Sequence, residues 1–324
     1  MNLLDLLKAR IDTLPDGDYT LGLSSILQHI EVAENHLLRG QTNADETAFT
    51  DSIYRTNQAF EGSLKEAFRV LAQRDPSRET PNQIETYLQN ENVLRPRVLA
   101  QLTNYRKDWR NPSTHDYCLN FDEDEALLAI VNVSAFAIVL IDQMTERISY
   151  EQAKLNAVDL PISSVLNQPI LERLSMLIEK FIVQFKNTHL ERSDIREVEI
   201  IGALSGFLAS AAPDFITKVD TRLLDDKPER PDLLISRVPK RVDLLVSQLD
   251  ESVIVEIKIS HLSFSRVRRN GIEQVSNYMA ISGIKNAILL IFNTPNIGTI
   301  SKIEEHLPDI NGKIVVICTD PLLS

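Results

Sequence analysis

The stretch Arg241-Val-Asp-Leu-Leu-Val-Ser247, followed after a polar turn at 248–251 by Ser252-Val-Ile-Val-Glu-Ile-Lys-Ile-Ser260, decides how the second half of this chain is read. Both runs are short and rich in β-branched residues and leucine, so they read as two strands of a hairpin. Side chains alternate across a strand, which puts Glu256 and Lys258 on one face while Val253, Val255, Ile257 and Ile259 fill the other. Two charged residues among such neighbours need a reason to be there, because burying them unpaired is costly. Pairing back along the hairpin brings Asp243 to the same face.

Outward from the hairpin, residues 215–223, 287–292 and 313–318 are further strand-like runs, and residues 266–282 and 300–306 read as helices. Ahead of it, Asp194 and Glu197 offer a capping box for a helix running to Ala211 and closed by Pro213. One more helix, 169–186, follows a linker-like stretch after Leu160-Pro161. The resulting order describes an α/β domain with a mixed sheet whose later strands are joined by crossover helices. The first half has a different period. Residues 19–38 and 46–72 carry apolar side chains at three- and four-residue spacing, as in Ile53, Phe60, Leu64, Ala67, Phe68 and Leu71. Shorter helices are expected at 81–88 and 98–109, and a long one at 125–152 capped by Asp122 or Asp124. The chain is therefore expected to be an α+β protein of two domains, an all-α bundle over 1–160 and an α/β domain over 161–324.

Asp243 and Glu256 converging with Lys258 suit phosphodiester hydrolysis. Carboxylates hold Mg²⁺ or Mn²⁺, which favour oxygen ligands. The metal positions a water nucleophile, and a nearby lysine orients that water or steadies the charge of the transition state. These residues resemble the PD-(D/E)xK nuclease superfamily, the restriction-endonuclease-like fold shared by RecB-like nucleases, over roughly residues 194–318. The resemblance implies that Asp243 and Glu256 are metal ligands and Lys258 the catalytic lysine. Gln274-Val-Ser-Asn-Tyr278 is similar to the Q-x-x-x-Y motif of the RecB-like branch, and its two ends share a helix face. The family's glutamate on the first core helix falls on Glu199, with Glu197 close behind. Pro231-Asp232 is a literal Pro-Asp, so Asp232 stands as the alternative to Asp243 for the first ligand.

In the helical half, Trp109-Arg110-Asn111-Pro112-Ser113-Thr114-His115-Asp116 follows a basic segment, and Asn111 with Pro112 is expected to force a turn. The arrangement resembles the R-x(4–6)-H motif of HEPN domains, over roughly residues 17–155. That resemblance implies a metal-independent RNase in which His115 is the general acid/base, Arg110 grips the scissile phosphate and Asn111 assists orientation. It also implies a homodimer formed through the helical domain. Glu61 and Glu66 could border the same cleft, although their spacing alone places them on the solvent face of an amphipathic helix.

Composition bounds the rest. At 43% hydrophobic and 25% charged residues the chain is expected to pack cores like an ordinary soluble protein. Two distant cysteines, Cys118 and Cys318, imply neither a disulfide framework nor a thiolate metal site. The start lacks the apolar core of a secretory signal, and the longest apolar run, 126–141, is shorter than the about 20 residues a membrane span needs. A cytoplasmic protein without membrane contact is expected. A net charge of −12 speaks against nucleic acid only globally, because binding depends on local charge. Residues 95–110 hold five basic residues against one acid, and 266–269 hold three basic residues and no acid. The leading expectation is a nuclease acting on DNA, RNA or both, of a defence or toxin type. The alternatives are a HEPN-like RNase carrying a nucleic-acid-binding sensor or scaffold, and a non-catalytic dimerising protein.

Overall fold

The computed structural model describes residues 2–115, 120–157, 168–189, 192, 194–223, 241–260, 264–293 and 299–320. The chain forms two compact units, Met1–Arg147 and Ile148–Ser324. The first is all-helical, and the second places a mixed sheet between helices, an α+β layout of two domains.

The helical unit is organised by α2 (Thr20–Asn43) and α3 (Thr47–Leu71), an antiparallel hairpin turned by Ala44 in the left-handed region. Glycines let the two approach: a Cβ at Gly40 would meet the Phe49 ring, and one at Gly22 would meet the Glu66 carboxylate. Ahead of them lies α1 (Leu3–Asp12), and α4 (Pro81–Asn90) begins on a Thr80–Gln83 capping box with Pro81 as its first residue. Next come α5 (Pro96–Tyr105), a π-helical turn (Arg106–Arg110) and α6 (Asn111–His115). The backbone therefore stays helical where a turn was expected. Pro112 has no N–H to give the carbonyl four residues back, and the ladder shifts by one, Asn111 N–H bonding Arg106 O.

Helix α7 (Glu123–Asn156) starts from Asp122, whose carboxylate accepts Glu125 N–H while Glu125 accepts Asp122 N–H. It is long and apolar enough to cross a membrane by length and composition alone. Its positions Ala129, Ile130, Val133, Phe136, Ala137, Leu140, Ile141 and Met144 are buried.

In the second unit six strands run in the order β1-β2-β3-β4-β6-β5. They are β1 (Ile216–Arg222), β2 (Arg241–Gln248), β3 (Glu251–Ser260), β4 (Asn286–Asn293), β5 (Thr299–Leu307) and β6 (Gly312–Asp320). The first three are antiparallel, β3, β4 and β6 are parallel, and β5 returns antiparallel on the far edge. Residues 287–292 of β4 are buried throughout, as expected of a central strand covered on both faces. Helices α8 (Ile170–Thr188) and α9 (Glu197–Ala211) cover one face, packing on Val253, Val255 and Ile257. Helix α10 (Phe264–Ser282), the crossover between β3 and β4, covers the other through Val275 and Met279. Gly271 allows its close approach, since a Cβ there would sit 2.8 Å from the Leu289 side chain.

Two further expectations are corrected. Residues 300–306 are strand β5, not a helix. Ile300, Ile303 and Leu307 have helical spacing, but Ile300 packs toward the α8/α9 side and Ile303 and Leu307 toward the α10 side. Helix α9 is also not capped by Asp194, which binds Arg192 instead; Glu199, its third residue, accepts the Arg196 N–H at 3.2 Å.

Candidate active site

The hairpin carrying Asp243, Glu256 and Lys258 forms, and its important feature is where it stops pairing. The register runs from Gln248↔Glu251 to Leu244↔Val255, and the next residues across from one another are Asp243 and Glu256. Beyond that point β2 leaves β3. The Ile257 N–H is taken by the Asp243 carboxylate at 2.7 Å, and the Ile259 N–H by Glu197 Oε1 at 3.4 Å. Opposite the same place β1 bends: Asp220 has φ +48°, and Arg241 holds both its carbonyl (2.9 Å) and its carboxylate (2.8 Å).

Glu256 is 2% exposed. Its Oε1 accepts from Lys258 Nζ at 2.7 Å and from Gln274 Nε2 of α10. Gln274 also donates to Tyr278 Oη at 2.7 Å, so the two residues four apart act on one site from one face of the helix. The other oxygen, Glu256 Oε2, is buried without any hydrogen-bond partner among the described residues. A buried carboxylate oxygen left in this way is costly, and it is the kind of atom a cation satisfies.

The electrostatics say the same. Burial, then the Glu256 charge, pushes the Asp243 carboxyl up to about 7. Burial raises Glu256 as well, against the pull of Lys258. Burial works against the Lys258 ammonium, but Glu256, Asp243 and Glu197 outweigh it, and its pKa lies above the ordinary lysine value. Tyr278 is raised by burial. Three carboxylates thus face one lysine. Among the described residues no three acidic, histidine or cysteine side chains close around a single point. Two carboxylates with waters suit a magnesium-type ion, which keeps part of its hydration shell.

The structure brings Asp243, Glu256, Lys258, Gln274 and Tyr278 together, and it does not bring Glu199. That side chain is buried and bound to Arg192 at 2.7 Å and to the Arg196 main chain. Glu197, two residues earlier, is the glutamate that reaches the site. The distinction turns on where the helix starts: with Arg196 as the cap, Glu199 is the third residue and is engaged locally, whereas a cap at Asp194 would have assigned that place to Glu197. Asp232 lies outside the described residues.

In the helical unit, Arg110 donates to Asn111 Oδ1 at 3.2 Å and reaches Glu61 Oε1 at 3.5 Å. Below it, Asn57 donates to Ser113 at 2.7 Å and accepts from the buried Tyr105 hydroxyl. His115 ends α6, and its side chain lies outside the described residues. Glu66 is buried, its pKa raised by that burial, and it is paired with Arg69 at 3.0 Å.

Residues 235–302, about a fifth of the chain, match the family model of the PD-(D/E)XK nuclease superfamily. The match takes in Asp243, Glu256, Lys258, Gln274 and Tyr278 and begins after Asp232. The similarity to that superfamily is thus confined to part of the C-terminal unit. No curated protein and no solved structure matches the chain.

Proposed function

We propose that the C-terminal unit hydrolyses phosphodiester bonds of DNA with a divalent metal, Mg²⁺ or Mn²⁺, held by Asp243 and Glu256. The observation that carries this reading is Glu256 Oε2, buried and without a partner among the described residues, beside a second carboxylate whose pKa is raised. When bound, the metal supplies charge neutralisation at the phosphate and a more acidic water. Lys258 has a raised pKa and stays protonated at neutral pH, so it is a donor and not a base. Its ammonium orients the attacking water or steadies the phosphate oxygens as the new P–O bond forms and the ester P–O bond breaks. Gln274 and Lys258 together fix Glu256 Oε1, which aims Oε2 into the site. That the matched region takes in Asp243 supports it as the first acid.

The test is cleavage of plasmid and linear DNA with Mg²⁺ or Mn²⁺, compared with Lys258→Ala, alongside calorimetric titration of the metal into both proteins. Loss of cleavage with metal binding retained supports the reading. Cleavage that persists in excess EDTA counts against it.

A second centre in the helical unit is favoured by the Arg110–Asn111 contact. We propose a metal-independent RNase there, with Arg110 binding phosphate, Asn111 orienting it, His115 transferring the proton and two copies meeting through the helical domain. RNA cleavage that survives EDTA and is lost in His115→Ala would support it. The setting we propose is a cytoplasmic effector of a defence or toxin type.

A further inference from the structure

The two basic clusters of the sequence have different fates. In the first, Arg95 pairs with Glu146, Arg106 with Glu85 and Arg110 with Glu61, leaving Arg97 and Lys107 exposed and unpaired among the described residues, in a unit separate from the carboxylate site. In the second, Arg268 pairs with Glu305, while Arg266 and Arg269 are exposed and make no hydrogen bond or ion pair among the described residues. Both lie on α10, the helix that delivers Gln274 and Tyr278 to the site. Arg266, Asn270, Gln274 and Tyr278 stand four residues apart and so form one ridge along that helix. Gln274, third along the ridge, touches the buried carboxylate, and the N-terminal end is an exposed asparagine and arginine, with Arg269 next in sequence. The first turn of α10 contains no acid, so the positive end of the helix dipole adds to the same charge. Glu273, four residues after Arg269 and on its face, is the helix's single acidic residue against three arginines.

We propose that Arg266, Arg269 and Asn270 form a track for the sugar–phosphate backbone of a nucleic-acid strand on one side of the cleaved bond. The proposal rests on the nuclease reading of the neighbouring site. At a rise of about 1.5 Å per residue, Arg269 and Arg266 stand roughly 7.5 and 12 Å along the helix from Gln274. Both arginines therefore lie within reach of phosphates a few nucleotides from the site. Such contacts position a strand without reading its sequence.

The test uses the full chain carrying Lys258→Ala, so that binding is measured without cleavage. Fluorescence anisotropy with a labelled DNA duplex, and separately a labelled single strand, is followed from 50 to 200 mM NaCl. Adding Arg266→Ala and Arg269→Ala is expected to weaken binding about equally for different sequences. It should also flatten the slope of log K against log salt by about one for each phosphate no longer neutralised. Arg268→Ala, whose side chain is already paired, should leave the slope unchanged. An unchanged slope in the double variant, or no binding of either DNA, overturns the track. Absence of metal-dependent cleavage by the parent protein, with the slope change intact, overturns the nuclease reading and leaves the binding surface standing.

Discussion

The Asp243 carboxylate accepts the main-chain N–H of Ile257 at 2.7 Å, in the place where the neighbouring strand would have supplied a carbonyl. This bond joins the first acid to the residue between Glu256 and Lys258. A side chain that replaces a ladder bond leaves β3 open toward the site while keeping its N–H satisfied.

The same carboxylate titrates. Its folded pKa, about 7, lies above the ordinary aspartate value because of burial and Glu256. The folded state therefore holds a proton that the unfolded state has lost between about pH 4 and 7. The stability tied to that proton is present below the unfolded value and is lost as pH rises through 7. Asp243→Asn should raise the melting temperature of the metal-free protein at pH 8, by an amount that shrinks toward pH 5. Excess Mg²⁺ should stabilise the parent protein at pH 8 and act much less on the variant. Thermal melts at three pH values, with and without metal, check both; a variant less stable than the parent at pH 8 would reverse the argument.

Lys258 is a charged donor 2.7 Å from Glu256. Lys258→Ala is expected to lower the turnover rate by roughly 10²–10³, as for removal of one preorganised donor. Lys258→Arg keeps the charge but not the shape, and should recover only part of that. Single-turnover cleavage at saturating Mg²⁺ distinguishes this from weaker metal binding.

Gln274 holds Glu256 from α10 and holds Tyr278 in turn. Removing a group that orients a metal ligand typically weakens metal affinity by about 10–100-fold. Gln274→Ala should therefore raise the Mg²⁺ concentration for half-maximal activity by about that factor. Tyr278→Phe loses a hydroxyl one bond further out and should change it less. Calorimetric titration of metal reads the effect independently of cleavage; equal affinity in Gln274→Ala and the parent would assign that residue a purely structural role.

Much of this site was legible because strand alternation fixes faces: Glu256 and Lys258 had to emerge together, and Gln274 and Tyr278 had to share a helix face. What was not legible depended on neighbours distant in sequence. Ile300 and Ile303 have helical spacing, and only pairing with β6 shows that they face opposite sides of a sheet. Asp220 and Arg241 are joined opposite the point where β2 leaves β3, and no local pattern announces that link. The arginines at 95, 106 and 110 looked like a surface patch, because the acids that neutralise them lie on other helices.

The two glutamates at the start of α9 separate by role. Glu199 is buried and satisfies Arg192 and the Arg196 N–H, so Glu199→Gln should destabilise the fold by about 1.5–3 kcal/mol, the range for hydrogen bonds to a charged group. Glu197 reaches the Ile259 N–H beside Lys258 and contributes negative charge to Asp243, Glu256 and Lys258. Glu197→Gln should lower the pKa of Asp243, stabilise the metal-free protein slightly above pH 7 rather than weaken it, and shift the pH midpoint of cleavage to a more acidic value. The sign follows from removing a negative charge next to a carboxyl, which makes that carboxyl easier to ionise. A pH–rate profile of both variants, set beside their melting curves, checks the division. If Glu199→Gln moved the pH midpoint and Glu197→Gln did not, the assignment of the two would be exchanged.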